Sequence, residues 1–466
     1  MPVPELLAGW HVLLHELLLV TAIGLAVFGL DDVFIDLLFF ARTGLRRLTI
    51  YRRHSRASAQ SLRSAAPGPI AILVPAWDEA AVIGAMLTNL TRRLEYPHYR
   101  VFVGLYPNDP AGIAAVGALG DLRLQAVLCR HPGPTTKADC LNHLWAALER
   151  HEARAGQRFK AVVLHDAEDV VHPQELWIYD ALIPRLAMVQ LPVLPLPDPG
   201  SRWISGHYLD EFAESHAKDI IVREALGAAV PSAGVACAID REMLGRIAAR
   251  ARTGQPFDAA CLTEDYELGH RIKALGGRGA LVRVLSQGER VVVATREHFP
   301  ATLDAAIRQK SRWLTGIALA GWDRIGWPGG LADRYMLLRD RKSLLAALLS
   351  VLGYAVAALL LIDAALRALL PAAALLPPFA PAGSGLALLL WGNAGLLLWR
   401  LAMRAGFTAH AYGWAEGLRA VPRSLASNLV NAAAAWAALR RYRTLLLGKT
   451  QPAWDKTSHR YPAEPT

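Results

Sequence analysis

Ile70-Ala71-Ile72-Leu73-Val74-Pro75 is an unbroken apolar run stopped by proline. A strand covered by helices on both faces reads this way, because side chains on both sides must then be apolar. Working outward, Asp78-Glu79 open a helical pattern through residues 80–94, acids being favoured in a first helical turn. Residues 99–105 read as a second strand, 124–128 as a third and 161–164 as a fourth, with a helix over 137–154 between the last two. This alternation predicts an α/β domain with a mostly parallel sheet. Ligands on such sheets sit outside the carboxyl ends of the strands. Pro107-Asn108-Asp109 follows the second strand and His165-Asp166-Ala167-Glu168-Asp169 the fourth, so both acidic clusters belong on that edge.

Two further clusters lie downstream, Thr263-Glu264-Asp265 and Gln309-Lys310-Ser311-Arg312-Trp313. Carboxylates gathered from separate segments can hold a divalent cation, and the cation a diphosphate. Asp166 and Glu168, alternate acids at a strand end, suit Mg²⁺ or Mn²⁺. A further carboxylate can take a proton from an attacking hydroxyl, and arginine can clamp anionic groups. Each cluster also has a plainer reading. Asp109 sits in a turn-rich string, Tyr106-Pro107-Asn108-Asp109-Pro110, where aspartate is a common turn former. Thr263-Glu264-Asp265 also reads as an N-cap box, which is compatible with a helix start that holds Asp265 rigidly. Arg312-Trp313 precedes a membrane segment, where such residues anchor interfaces. Lys137 falls in a first helical turn, an unfavourable place for a cation, and this weighs toward a ligand role. Trp77, at a strand exit, is well placed to touch a base.

The chain has 466 residues, 53% of them hydrophobic, which is more than a soluble domain needs. Residues 12–30, 344–361 and 384–399 are long apolar runs, and each reaches the roughly 20 residues of a membrane span within its flanks. Asp31, Asp32 and Asp36 truncate the first. It lacks a basic leader and a cleavage site, so it does not read as a signal peptide. Arg42, Arg46, Arg47, Arg52, Arg53, Arg56 and Arg63 follow it, which by the positive-inside bias places the N-terminus outside and residues 42–342 in the cytosol. The loop at 371–381 carries no Lys or Arg, and Arg400 and Arg404 follow the third run, so the topology closes. Residues 322–341 and 412–443 read as interfacial helices.

The formal charge of +10 comes largely with these membrane flanks and fits anionic lipid headgroups rather than nucleic acid, for which no motif is present. Four cysteines, Cys129, Cys140, Cys237 and Cys261, form no CxxC pair and are expected to be reduced thiols, not a zinc site.

The ordered set Val74-Pro75-Ala76-Trp77-Asp78-Glu79, Asp109, Asp166-Ala167-Glu168, Thr263-Glu264-Asp265 and Gln309-x-x-Arg312-Trp313 resembles processive-type family 2 glycosyltransferases over roughly residues 70–313. More narrowly, His165-Asp166-Ala167-Glu168-Asp169-Val170-Val171-His172-Pro173 and Trp454-Asp455-Lys456-Thr457-x-His459 are similar to the NfrB-type bacteriophage-adsorption glycosyltransferases, inner-membrane proteins of Gram-negative bacteria associated with an exopolysaccharide. The resemblance implies an α/β GT-A domain (a nucleotide-diphospho-sugar transferase fold with a Rossmann-like mixed sheet) plus transmembrane and interfacial helices. It implies that Pro75, Trp77 and Glu79 line the nucleoside, that Asp109 contacts the nucleotide, and that Lys137 lies near the diphosphate. Asp166 would serve the donor and, with Glu168, the cation; the family more often has Asp-x-Asp there, which leaves open which acid binds directly. Asp265, beside Glu264, would be the general base. Gln309, Arg312 and Trp313 would serve the diphosphate and the acceptor, and Trp454, Lys456 and Thr457 would form a returning loop at the active site.

The resemblance further implies inverting transfer from a UDP-sugar, an N-acetylhexosamine, to a growing exopolysaccharide, with an outer-membrane export partner. Three spans form a poor conduit alone, so polymer export would call for a homo-oligomer or a partner. Single transfer to a lipid acceptor is the alternative, and an inactive envelope scaffold a more distant one. Related proteins can carry a C-terminal cyclic di-GMP sensor; none is expected in this chain, so such regulation would act in trans. The expected division is a transmembrane helix (1–41), a basic juxtamembrane linker (42–69), the cytosolic GT-A domain (70–315), an interfacial segment (316–342), two transmembrane helices with a short periplasmic loop (343–403), and cytoplasmic interfacial helices ending in the Trp454–Thr457 loop (404–466).

Overall fold

The computed structural model describes residues 3–286, 291–448 and 459–462. Trp454, Lys456 and Thr457 lie outside the described residues. Nine strands are described: β1 (Ile70–Pro75), β2 (Tyr99–Leu105), β3 (Leu124–Leu128), β4 (Ala161–Leu164), β5 (Met188–Gln190), β6 (Val193–Pro195), β7 (Cys237–Asp240), β8 (Gly279–Leu281) and β9 (Thr295–Glu297). The first seven-stranded sheet runs β3-β2-β1-β4-β7-β5-β8, and β6 pairs with β9 in a separate two-stranded sheet.

The four strands expected from the sequence all form, side by side and parallel. β7 then enters antiparallel between β4 and β5, so the sheet is mixed. β1 explains why its run is unbroken. Ile70, Ile72 and Val74 join the core on one face of the sheet, whereas Ala71 and Leu73 join the core on the other. The first face is covered by the helices Ile83–Arg93 and Glu175–Leu182, the second by Lys137–Ala155, Arg241–Arg250 and Glu264–Ala274.

One local reading is corrected. The helix after β1 begins at Ile83, not at the acidic pair. Asp78 has φ of 54°, and its N–H donates to Asp109 Oδ2 at 3.0 Å, which holds the chain in a turn and not in a first helical turn. The pair therefore sits on the loop at the carboxyl edge of the sheet.

Three helices are long and apolar enough to cross a membrane: Glu5–Thr49, Leu331–Leu369 and Gly385–Tyr412. The first is part of one continuous helix, Val3–Thr49, and does not stop at its aspartates. Those acids are neutralised by neighbours. Arg339 and Lys342 of the second helix reach Asp31 and Asp32, and Lys218 pairs with Asp36 at 2.5 Å in the interior. Trp399 of the third helix also donates to Asp36, at 2.7 Å. Residues 331–341 are continuous with the second long helix, and Trp414–Leu446 forms a further long helix.

Candidate active site

The carboxyl ends of β1 and β4 open into a cavity of about 270 Å³. Pro75 and Glu79 enter it from the loop after β1, and Asp166 and Glu168 from the loop after β4. Lys137 comes from the first turn of its helix, Glu264 and Asp265 from the start of the helix Glu264–Ala274, and Gln309, Arg312 and Trp313 from the helix Leu303–Leu314. Residues more than 200 positions apart thus share one wall.

The loop after β4 is braced from behind. His165 is fully buried, with Nδ1 2.6 Å from Asp169 Oδ2 and Nε2 2.8 Å from Glu175 Oε1. The backbone N–H of Asp166 donates to the same Asp169 oxygen at 3.2 Å. Burial alone would lower the imidazole pKa, but the two carboxylates outweigh it and raise it to about 10, so both ring nitrogens act as donors.

Lys137 answers the question raised by its helical position. Its Nζ lies 2.5 Å from Asp166 Oδ1, and its side chain is largely covered. Burial pulls its pKa down, whereas Asp166, Glu264 and Asp265 together raise it. A lysine held among three carboxylates is a fixed positive charge at the cavity floor.

Glu79, Glu168 and His459 form a second group. Their ligand atoms all lie within 4.8 Å of one another, with His459 Nδ1 3.0 Å from Glu79 Oε1 and Nε2 3.2 Å from Glu168 Oε1. Burial, with Asp166 and Glu79, pushes Glu168 up to about 8 against the pull of His459. Two carboxylates and an imidazole are a donor set that can hold a divalent cation, the carboxylates suiting Mg²⁺ or Mn²⁺. Asp166, beside this group, has one carboxylate oxygen 2.5 Å from Lys137 Nζ. His459 comes from the last described segment. Its place two residues past Thr457 in the Trp454–His459 motif was the available signal, but nothing in the residues themselves pointed it at Glu168.

Asp265 and Glu264 differ in environment. Asp265 Oδ1 accepts from the Tyr266 N–H at 2.7 Å. Its Oδ2 passes close to Gly234, whose φ is +78° and where a Cβ would lie 2.8 Å from that oxygen. Burial raises the Asp265 pKa against the charges of Lys137 and Arg312. Glu264 is pushed to about 7 by burial and by Asp265. Thr263 occupies the N-cap position but makes no side-chain cap; its side chain instead packs on Gly316, where a Cβ would come within 2.5 Å. The residue that looked like a capping element is a spacer between the catalytic-edge helix and the helix carrying Arg312.

The pentad divides by function of position. Lys310 points away from the cavity centre and is paired with Glu211 at 2.6 Å, with Asn431 at 2.8 Å. Arg312 has no hydrogen bond or ion pair among the described residues, and the Gln309 Oε1 is buried with no partner there either. Trp313 stands edge-on to Tyr208 at 6.1 Å. A π-helical turn, Thr315–Leu319, follows at once, and another, Ser215–Asp219, brings His216 to the same cavity. Such turns widen a helix locally and recur at functional sites.

Two sequence-expected residues stand apart. Asp109 does not line the cavity; its carboxylate caps the helix Pro110–Gly117 through Gly112 and holds the Asp78 N–H. Trp77 packs edge-on to Tyr106 at 5.0 Å and against Gly133, where a Cβ would lie 2.5 Å from its ring. Glu297, at the end of β9, does line the cavity and was not anticipated. Burial and the charges of Asp169, Glu168 and Asp166 raise it well above the ordinary carboxylate range.

The family model described as "Glycosyltransferase like family 2" matches residues 67–316. The chain belongs to that family. Its domain is therefore a GT-A glycosyltransferase domain, in agreement with the mixed seven-stranded sheet. The bacteriophage adsorption protein B of Escherichia coli (strain K12) is 37% identical over 98% of this chain, as is the bacteriophage N4 adsorption protein B of Escherichia coli O157:H7. The chain spans 64% of the length of each. Among solved structures, the mannosyltransferase PcManGT from Pyrobaculum calidifontis, in complex with GDP-Man and Mn2+, is 18% identical, with 88% of this chain and 99% of that chain covered and a TM-score of 0.48. S. aureus TarS is 13% identical over 59% of this chain and 43% of that one, with a TM-score of 0.37.

Proposed function

We propose that this glycosyltransferase moves a sugar from a UDP-linked donor, an N-acetylhexosamine, to a growing polysaccharide at the bacterial inner membrane, with inversion. The observation that carries this reading is the meeting of Lys137, Asp166, Glu168, Asp265 and Arg312 around one cavity. Lys137 and the unpaired Arg312 supply positive charge for a diphosphate. Asp265 supplies the base. The acceptor oxygen bonds to the anomeric carbon, the bond from that carbon to the phosphate oxygen breaks, and its electron pair leaves on the nucleoside diphosphate. The acceptor proton passes to Asp265 Oδ2. Gln309 Oε1, buried and unpartnered, accepts a hydrogen bond from a substrate hydroxyl. Glu297, whose pKa burial and the neighbouring acids raise, lines the same cavity.

A divalent cation, Mg²⁺ or Mn²⁺, would be held by Glu79, Glu168 and His459 and would neutralise the departing diphosphate. Replacing His459 by alanine should weaken Mn²⁺ binding by at least 10–100-fold, the range seen when groups supporting a metal ligand are removed. Titration of the free-Mn²⁺ electron paramagnetic resonance signal with purified full chain measures this without turnover. An unchanged affinity would remove His459 from the ligand set.

The acceptor approaches past Trp313. That side chain lines both the active-site cavity and a neighbouring one of about 600 Å³, which extends between the helices Val3–Thr49, Leu331–Leu369 and Trp414–Leu446. Ser343, Ser350, Asn428 and Asn431 give the second cavity polar positions at membrane-helix level, suited to a sugar chain. The arginine-rich flank of the first helix supports a cytoplasmic catalytic domain and a periplasmic N-terminus. Transfer of a single sugar to a lipid is the second reading, since the same cavity borders the membrane. A donor panel assayed by UDP release, with sizing of the radiolabelled product, tests both. Polymer supports the main reading and glycolipid the second, while absence of metal-dependent release with every donor defeats both.

A further inference from the structure

A cavity of about 1020 Å³ lies where the first membrane helix leaves the bilayer, and it shares no lining residue with the active-site cavity. Six arginines from three separate segments converge on it: Arg42, Arg46 and Arg47 from the end of the helix, Arg56 from the linker, and Arg278 and Arg283 from the flanks of β8. Among the described residues Glu224 is the one carboxylate lining it, 3.4 Å from Arg278. Arg42, Arg47, Arg56 and Arg283 have no carboxylate within ion-pair distance among the described residues. The Tyr51 ring organises the group without neutralising it. Arg46 lies 5.3 Å and Arg56 4.5 Å from its centroid, and the Arg46 Nε donates to its hydroxyl at 3.2 Å. Burial and the nearby charge of Arg56 pull the Arg283 pKa below its usual range, the mark of cations crowded without a counter-charge.

Apart from Thr43, Ser55 and His410, the rest of the described wall is apolar. Phe39 stands edge-on to Phe40 at 5.5 Å and to Phe407 of the third membrane helix at 5.6 Å. Phe40 is exposed, and Ile50, Ala402, Met403 and Phe407 continue the apolar wall alongside the arginines. Scattered juxtamembrane arginines attract an anionic surface from outside. Here they are gathered round a recess whose other wall continues the lipid-facing side of a helix. A free anion would use only the first half of that design.

We infer that this recess binds one anionic glycerophospholipid, its phosphate among Arg42, Arg56 and Arg283 and its acyl chains along Phe40, Met403 and Phe407. The inference rests on the membrane placement of the first helix and not on sugar transfer.

The test is equilibrium binding of an acyl-labelled phosphatidylglycerol to full-length protein purified in neutral detergent. The double variant Arg56→Glu/Arg283→Glu reverses two charges outside the membrane helices and should bind roughly tenfold more weakly or worse. Arg252→Glu, an exposed site remote in sequence, should bind as the parent does. So should Asp265→Asn, which separates this inference from the catalytic one. Labelled phosphatidylcholine should bind much more weakly, and millimolar inorganic phosphate should not displace phosphatidylglycerol. Equal binding of the two lipids, parental affinity in the double variant, or full displacement by phosphate would each overturn the assignment, the last in favour of a free-phosphate site. Should the double variant elute as aggregate, Arg56→Gln/Arg283→Gln is measured in its place, with a loss of binding again expected and parental affinity again overturning the inference.

Discussion

Asp265→Asn is expected to lower the transfer rate by roughly 10²–10⁴-fold, the usual contribution of a positioned general base. Asparagine keeps the shape of the side chain and can still accept from the Tyr266 N–H, so the fold and the donor site should survive. What it loses is the ability to take the acceptor proton at the oxygen facing Gly234. Donor affinity and melting temperature should therefore stay at parental values while turnover collapses. A variant that turns over normally would show that the base lies elsewhere, with Glu264 as the next position to replace. The pH dependence carries a sign. Burial raises the Asp265 pKa, and a base works only when deprotonated, so activity should fall on acidification at a higher pH than an ordinary aspartate near 3.9 would give. A kcat/KM profile checks this on the parent enzyme.

The second large effect is on stability. His165→Ala should cost about 3–5 kcal/mol, because it leaves Asp169 and Glu175 as buried carboxylates without their shared partner. For a chain of this size the melting temperature should drop by about 3–5 °C. The folded-state pKa is raised to about 10 from an ordinary 6.5, so the stabilisation is complete below 6.5 and is lost as the pH rises through 10. The gap between parent and variant should accordingly be full at about pH 6.5, nearly so at pH 7, and should close in strongly alkaline buffer. Melting curves within a degree or two of each other at pH 7 would show that the triad does not stabilise the fold.

The parts of this protein that could be read from the sequence are those governed by local rules. β1 was legible because burial on both faces demands an unbroken apolar run, and β2, β3 and β4 followed from the same periodicity. β5, β6, β8 and β9 were not, because three residues are too few to show a period. The antiparallel β7 is short as well, and its direction depends on what it pairs with. In the site, Asp166, Asp265 and Arg312 stood out by type and spacing. Asp109 could not be placed from one dimension, where a turn former and a ligand look alike; in the fold its carboxylate accepts from the Gly112 and Asp78 N–H groups. The continuity of the first long helix was hidden too, since the residues that pair with Asp31, Asp32 and Asp36 lie 182 or more positions away.

One contact reaches beyond the site. Asp340, in the second membrane helix, accepts from the Tyr266 hydroxyl at 2.6 Å and from Arg223 at 2.8 Å. Tyr266 is the residue next to Asp265. A catalytic domain cut free after residue 316, where the family match ends, would keep both donors and lose the carboxylate that joins them. Arg223 would then be a buried guanidinium with no counter-ion, directly behind the helix that presents the base. The long apolar helix is therefore no mere tether: its Asp340 completes the polar contacts behind Asp265.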